Sequence, residues 1–381
     1  MKHLKSLGFF LLIFSSFFLI QCTTDPIPGP DGEDGIDGID GVDGVSGTAE
    51  CAACHNVGKS EEVHASYLFS GHYNENMDHD LENDGINEPL SQYGNRAYTP
   101  NGSLSCASCH TSDGYIDIVE TGSTLFSGFQ NNDDGGYPLY DGTQTITCNT
   151  CHNKHTSFNF EEDGKDYALR VIDPVTLLAD NSVTIDYGPD NKTSHTCATC
   201  HQPRSTFDGA INADGTVDVG SRFGPHYGAQ TTLLEGIQGA ELAGYEYRST
   251  DGTAAHRAGS SCTECHMGKS SGNNVGLHTK KPTETTCLNC HKDGSPSKEF
   301  LKADFDALED LLIAKGIIEI VIDEDTGDEE LVIISNKNMD LIPAAALWNY
   351  KMIYYDHSHG VHNPKYAKDL IQNSIDALNA N

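Results

Sequence analysis

Six copies of one five-residue pattern constrain this chain more than any other feature. The pairs are Cys51/Cys54, Cys106/Cys109, Cys148/Cys151, Cys197/Cys200, Cys262/Cys265 and Cys287/Cys290. Two residues separate the members of every pair, and a histidine follows at once: His55, His110, His152, His201, His266 and His291. At this composition chance supplies about 0.02 such matches, so the pattern is built in. A disulfide framework would suit an exported chain, and a zinc ribbon explains the cysteine spacing. Neither accounts for a histidine that never fails to follow. The chain has 13 cysteines, an odd number, and Cys22 stands outside the pattern.

Cys-x-x-Cys-His is the attachment pattern of c-type haem. Two thiols one helical turn apart can add to both vinyl groups of a porphyrin, and the next residue then lies under the iron as its proximal imidazole. Six haems are large apolar plates, so they become much of the core. The expected fold is mainly α, with extensive irregular loops wrapped around covalent haems. Successive motifs begin 55, 42, 49, 65 and 25 residues apart, roughly one haem per loop-plus-helix unit, so neighbouring haems must pack closely.

Residues 51–296 are the expected haem-binding core, and 297–381 the segment that closes it. Leu301, Phe305, Leu308 and Leu312 share one helical face, which predicts a helix from Ser297 as N-cap to Lys315, ended by Gly316. Ile317 to Ile322 and Leu331 to Ile334 flank Asp325-Thr326-Gly327 and read as a β-hairpin. A second helix is expected from Pro343 to Tyr355. Asn363 caps a third, with Pro364 in its first turn. Trp348 reads as packing rather than as a redox relay.

The chain has 18 histidines. Setting aside His3 and the motif histidines leaves His64, His72, His79, His155, His195, His226, His256, His278, His357, His359 and His362, enough to give every haem a second imidazole. Methionine is scarce, at 5, so Met/His ligation is a minority option. His79, His357 and His359 read better as ordinary residues. His72 follows the apolar run Tyr67-Leu68-Phe69. Cys151-His152-Asn153-Lys154-His155 offers His155 to a neighbouring haem.

Other segments resemble known families. Arg222-Phe223-Gly224-Pro225-His226-Tyr227-Gly228-Ala229-Gln230 is similar to a stretch of multihaem cytochromes in which that histidine is a distal ligand. So are His256, upstream of Cys262-Thr263-Glu264-Cys265-His266-Met267, and Asn274-Val275-Gly276-Leu277-His278. Trp348-Asn349-Tyr350 and Gly360-Val361-His362-Asn363-Pro364 resemble the end of the pentahaem nitrite-reductase-type cytochromes and their octahaem relatives. The resemblance spans roughly residues 195–380. It implies His226, His256, His278 and His362 as distal ligands; with His72 and His155 they complete the expected set, and His195 and His64 stand in reserve. Ammonia-forming nitrite reductases carry a Cys-x-x-Cys-Lys haem with an open face, which this sequence lacks. A hydroxylamine-oxidoreductase-like crosslinking tyrosine context is not recognisable either. Their activity does not transfer, and no catalytic residue is assigned.

The N-terminus fixes the expected compartment. Lys2 and Lys5 precede an apolar run from Gly8 to Ile20, which is signal-peptide-like and short for a bilayer span. Leu19-Ile20-Gln21-Cys22 resembles the lipobox of bacterial lipoproteins. That implies a signal peptide over 1–21, lipidation at Cys22 and an outer-membrane anchor facing the periplasm or the cell surface. Residues 22–50 form a tether in which Gly29, Gly32, Gly35, Gly38, Gly41, Gly44 and Gly47 keep a collagen-like register. Aspartates at the third positions favour an extended, self-repelling strand over a trimeric stalk.

The formal net charge of −33 argues against nucleic acid as a partner and favours redox proteins bearing a basic patch. Asp80-x-Glu82-x-Asp84-Gly85 and Asn212-x-Asp214-Gly215 have a calcium-loop flavour without the full pattern, and solvated turns are the plainer reading. Together these features lead to an exported, lipid-anchored electron-transfer protein with six c-type haems. The alternatives are a multihaem reductase of a small nitrogen or sulfur oxyanion, and a cytochrome filament subunit.

Overall fold

The computed structural model describes residues 55–73, 107–110, 112–122, 146–155, 167–269, 275–295, 297, 299–322 and 329–380. The expected signal peptide, Cys22, the tether, Cys51, Cys54, Cys106, His79 and the Asp80 loop lie outside the described residues.

The first elements are short. Helix α1 (Val57–Tyr67) opens at Asn56, whose side-chain oxygen accepts from the Lys59 N–H at 2.8 Å, one of the orphan donors of a helix start. Helices α2 (Ala107–His110), α3 (Ser112–Thr121) and α4 (Cys148–Cys151) follow. Strands β1 (Val175–Thr176) and β2 (Thr184–Ile185) pair antiparallel. Next come α5 (His195–Ala198), β3 (Val217–Val219), α6 (Gln230–Glu235), α7 (Ala255–Gly259), α8 (Cys262–His266) and α9 (Glu284–Leu288). Several of these helices are single turns joined by irregular chain.

The C-terminal part is more regular. Helix α10 (Lys302–Ala314) leads into β4 (Ile318–Ile322) and β5 (Glu329–Ile333), which pair antiparallel from Ile318↔Ile333 to Ile322↔Glu329. Strand β6 (Asn336–Met339) returns to β3, with Val217 opposite Met339. Helices α11 (Leu341–Asp356) and α12 (Pro364–Ala380) complete the chain. The described residues are thus mainly helical with a few short strands. None of the described helices is long and apolar enough to cross a membrane.

Helix α11 is the centre of the main apolar cluster. Ala344, Ala345, Ala346, Leu347, Trp348, Tyr350, Met352 and Ile353 are all buried, so the helix is enclosed on every side. Leu308 and Leu312 of α10 and Tyr366, Leu370 and Ile371 of α12 join the same cluster. Trp348 packs edge-on against Phe223 with centroids 5.5 Å apart, and its indole N–H donates to Gln238 O at 3.0 Å. Burial and a satisfied N–H account for this tryptophan as packing.

The expected helix from Ser297 starts later, at Lys302. The Ser297 hydroxyl accepts from Glu299 N–H at 3.2 Å, and Lys302 N–H donates to Glu299 O at 3.0 Å. Ser297 therefore caps a turn, not the helix. That turn leaves Leu301 buried against Gly360, whose backbone has φ +83° and where a Cβ would collide with the Leu301 side chain. The other end is as expected: Gly316 takes φ +67°, and Ile317 N–H closes on Leu312 O at 2.9 Å, the left-handed stop of a helix. At the start of α12 the Asn363 side chain accepts from Tyr366 N–H at 3.3 Å.

One polar residue locks α11 to the preceding loop. Asn349 is fully buried; its amide oxygen accepts from Ala240 N–H at 2.7 Å and its amide nitrogen donates to Ala240 O at 3.0 Å and Ser374 Oγ at 3.1 Å. Asn349→Ala strands both peptide groups of Ala240 in the core. The expected cost is about 2–3 kcal/mol, read as a lower denaturation midpoint by far-ultraviolet circular dichroism.

Candidate haem-ligand pairs

Each described motif is a helical turn. His152 N–H bonds to Cys148 O at 3.0 Å, His201 N–H to Cys197 O at 3.0 Å, and His291 N–H to Cys287 O at 2.9 Å. One turn places two thiols and the following imidazole along one side of the backbone. None of the described motif cysteines is in a disulfide.

Every motif histidine stands beside a second imidazole. Ring centroids are 6.1 Å apart for His55–His155, 6.1 Å for His201–His72, 6.5 Å for His110–His226 and 6.2 Å for His152–His278. They are 6.1 Å apart for both His291–His256 and His266–His362. The six second rings are the six histidines named from the sequence. Two imidazoles bound trans to one metal, with metal–nitrogen bonds of about 2.0 Å, have centroids about 6 Å apart.

The rings are turned by their Nδ1 atoms. His152 Nδ1 meets Tyr167 O at 2.9 Å, His266 Nδ1 meets Lys280 O at 2.8 Å, and His256 Nδ1 meets Val361 O at 2.6 Å. His201 Nδ1 is 3.4 Å from the side-chain oxygen of Gln230. His362 Nδ1 meets the Asp356 carboxylate at 2.6 Å. An Nδ1–H donated to a fixed oxygen sets the tautomer and leaves Nε2 free to bind a metal. His72 Nδ1 and His278 Nδ1 are buried and have no hydrogen-bond partner among the described residues.

At His362 burial is outweighed by the Asp356 carboxylate, which raises the pKa, but at several of the other imidazoles burial favours the neutral form, the one that binds iron. Burial pushes His72 down to about 3 and His110, His266 and His278 to about 4. His226 falls to about 3, first by burial and then through the nearby Arg204 guanidinium.

Backbone requirements surround His226. The residue itself has φ +68°. Gly228 lies against the peptide of Gln202, where a Cβ would collide with the Gln202 carbonyl. The glycine thus lets the His226 segment approach the chain directly after His201.

The reserve histidines stand elsewhere. His64 is exposed on α1. His195 is buried with both ring nitrogens engaged, Nδ1 with Ile172 O at 2.8 Å and Nε2 with Tyr187 N–H at 2.9 Å, and its ring stacks on Tyr187. His359 is exposed, while His357 is half-buried. The candidate calcium loop at Asn212 is a turn: the Asp214 carboxylate accepts from Thr216 N–H at 3.0 Å and Thr216 Oγ1 at 2.6 Å. Among the described residues no cluster of acidic, histidine or cysteine side chains could hold a metal ion.

Sequence reasoning missed Lys280, Gln230 and Asp356. Burial lowers the Lys280 ammonium, with the Cys151 and Cys197 sulfurs acting the other way, and its Nζ reaches His278 O at 3.4 Å. Proximity to His278 is the one signal that could have marked Lys280, and the interval Asp356 to His362 the one for Asp356.

Residues 43–212 match the family model of outer membrane cytochrome MtrC/MtrF-like proteins, domains II/IV. This match supports a multihaem cytochrome with c-type haem cofactors. Among solved structures, the crystal structure of the outer cell wall cytochrome OcwA is 18% identical over 83% of this chain and 49% of that one, with a TM-score of 0.42. This chain therefore spans about half the length of OcwA. No curated protein sequence matches.

His195 is the internal control for the paired rings. His195→Ala leaves Tyr187 N–H and Ile172 O without their partner, at a cost of about 1–3 kcal/mol for each buried group. The expected result is a lower unfolding midpoint with an unchanged Soret and α-band spectrum of the loaded protein.

Proposed function

We propose that the chain is an exported, lipid-anchored cytochrome with six covalent c-type haems, which passes electrons between a redox protein and an acceptor in the periplasm, at the cell surface or outside the cell. The observation that carries the reading is the facing of every motif histidine with a second imidazole at 6.1–6.5 Å. In this reading Cys51, Cys54, Cys106, Cys109, Cys148, Cys151, Cys197, Cys200, Cys262, Cys265, Cys287 and Cys290 hold the porphyrins. His55, His110, His152, His201, His266 and His291 are the proximal ligands, facing His155, His226, His278, His72, His362 and His256 respectively. Haem iron supplies one-electron cycling between ferric and ferrous states.

Two ligands per iron close both faces, which suits transfer and disfavours substrate binding. The chain also holds its attachment segments against one another. Cys200 Sγ lies 3.9 Å from Ser108 O, between Cys106 and Cys109. Thr193 and Ser194, just before Cys197, bond to the Thr263 hydroxyl at 2.9 and 3.2 Å. Ser112, just after His110, bonds to the Thr147 hydroxyl at 2.8 Å and also to the Thr150 hydroxyl. His152 and His155 lie on one short segment yet belong to different pairs. Groups anchored on touching segments are close neighbours, as electron hopping requires. The outer-membrane cytochrome match and the lipobox-like Leu19-Ile20-Gln21-Cys22 support the location.

Pyridine haemochrome assay with intact mass tests the reading. Six haems per chain and an entirely low-spin ferric electron paramagnetic resonance spectrum are expected. Two or fewer haems would end the proposal. One stoichiometric high-spin haem would point instead to a reductase of a small oxyanion.

Charge supplies a second test. The formal net charge of −33 favours a partner with a basic patch, and screening shortens the reach of that attraction to about 10 Å at 0.1 M salt. In stopped-flow oxidation the rate with a cationic acceptor should fall as salt rises, and the rate with a matched anionic acceptor should climb. Rates indifferent to salt would assign the charge to solubility.

A further inference from the structure

One of the second imidazoles differs from the other anchored rings in the oxygen its Nδ1 meets. His152, His266 and His256 donate to peptide carbonyls, and His201 lies near a neutral amide oxygen. His362 donates to a carboxylate, Asp356 Oδ1, at 2.6 Å. The Asp356 side chain is completely shielded from solvent. Among the described residues no lysine or arginine forms an ion pair with it.

The carboxylate is held in place from both sides. Asp356 is the last residue of α11, and His357 after it turns the chain with φ +55°. Asp356 Oδ2 accepts from Ser358 N–H at 3.2 Å and from the Ser358 hydroxyl. Ser358 Oγ in turn accepts from His362 N–H at 3.1 Å. A closed ring of hydrogen bonds thus joins carboxylate, serine and imidazole. Gly360, at φ +83°, lets the loop fold tightly enough to close it.

A buried carboxylate on Nδ1–H draws proton density from the ring and makes Nε2 a stronger, more anionic donor. Such a ligand favours ferric over ferrous iron. The low dielectric of the site keeps the effect local. His362 faces His266, so the affected haem is the one on Cys262 and Cys265.

We propose that Asp356 is a positioning residue that selectively lowers the reduction potential of the haem held by Cys262, Cys265, His266 and His362. The inference rests on the ligand pairing proposed above. It adds a potential step inside the chain of haems, set by one carboxylate.

The test uses the fully loaded protein, potentiometric titration and electron paramagnetic resonance. Asp356→Asn should shift one of six components to higher potential and alter one low-spin signal, leaving the other five in place. Ser358→Ala loosens the loop but keeps the carboxylate, and should leave every potential where it was. Six unchanged components in Asp356→Asn would overturn the proposal. An equal shift in Ser358→Ala would also overturn it, by showing that loop position and not charge sets the potential. Should Asp356→Asn fail to assemble, His362→Met decides. The near-infrared charge-transfer band it removes should be the shortest-wavelength band of the wild-type set, as an anionic imidazole requires, and any other band overturns the proposal. Fewer than six low-spin haems in the wild-type protein would instead count against the ligand pairing itself.

Discussion

Six pairs of imidazoles, with centroids 6.1–6.5 Å apart and planes inclined at 36–80°, tie the described segments together. The arrangement recurs at every motif, and it joins segments that lie far apart in sequence. Except for His256 and His291, the partners are roughly 100 residues or more apart. Bringing such distant segments together costs loop-closure and conformational entropy. Covalent apolar plates between the paired rings would supply further contact area, in keeping with the several single-turn helices among the described residues.

The C-terminal helices solve the same problem in the ordinary way. Helix α11 is buried on every side, with a few polar residues among its apolar ones, and packs with α10, α12 and the β3–β6 pair. Asp356 ends that helix and His362 follows six residues later, so the loop that carries His362 is tied to the best-packed part of the described residues. Val361 O, on the same loop, orients His256. A single rigid loop thereby fixes rings belonging to two pairs, and their geometry inherits the stability of the core.

What could be read from the sequence followed from how local the signal was. The motifs, the Gly316 stop, the Asn363 cap and the apolar face of Leu308 and Leu312 are each set within a turn or two of chain. The start of α10 was misplaced because Ser297 satisfies a cap pattern locally, whereas burial of Leu301 against Gly360 is a contact between distant residues. Histidines with apolar or motif neighbours could be named as candidates, but which ring faces which depends on the path of every loop between them. His195 shows the limit from the other side. Two residues before Cys197, it has the position of a ligand, yet Ile172 O and Tyr187 N–H occupy both its nitrogens.

Charge is distributed at two scales, and the two do not act alike. Many of the described carboxylates are exposed, where solvent and salt screen them. Near the ring pairs the balance is different. Lys280 lies beside His278, the cationic side chains of Arg204, Arg222 and Lys351 act on His226, and a lone buried carboxylate faces His362. These groups are shielded from water to differing degrees, and Asp356 is shielded completely. A field acting through a low-dielectric interior reaches the nearest ring strongly and the next one much less. The surface charge can therefore govern how a partner approaches while having little hold on individual potentials. A few interior charges, placed by the same loops that place the rings, can make chemically identical sites unequal, and inequality between neighbours is what gives a row of identical carriers a direction.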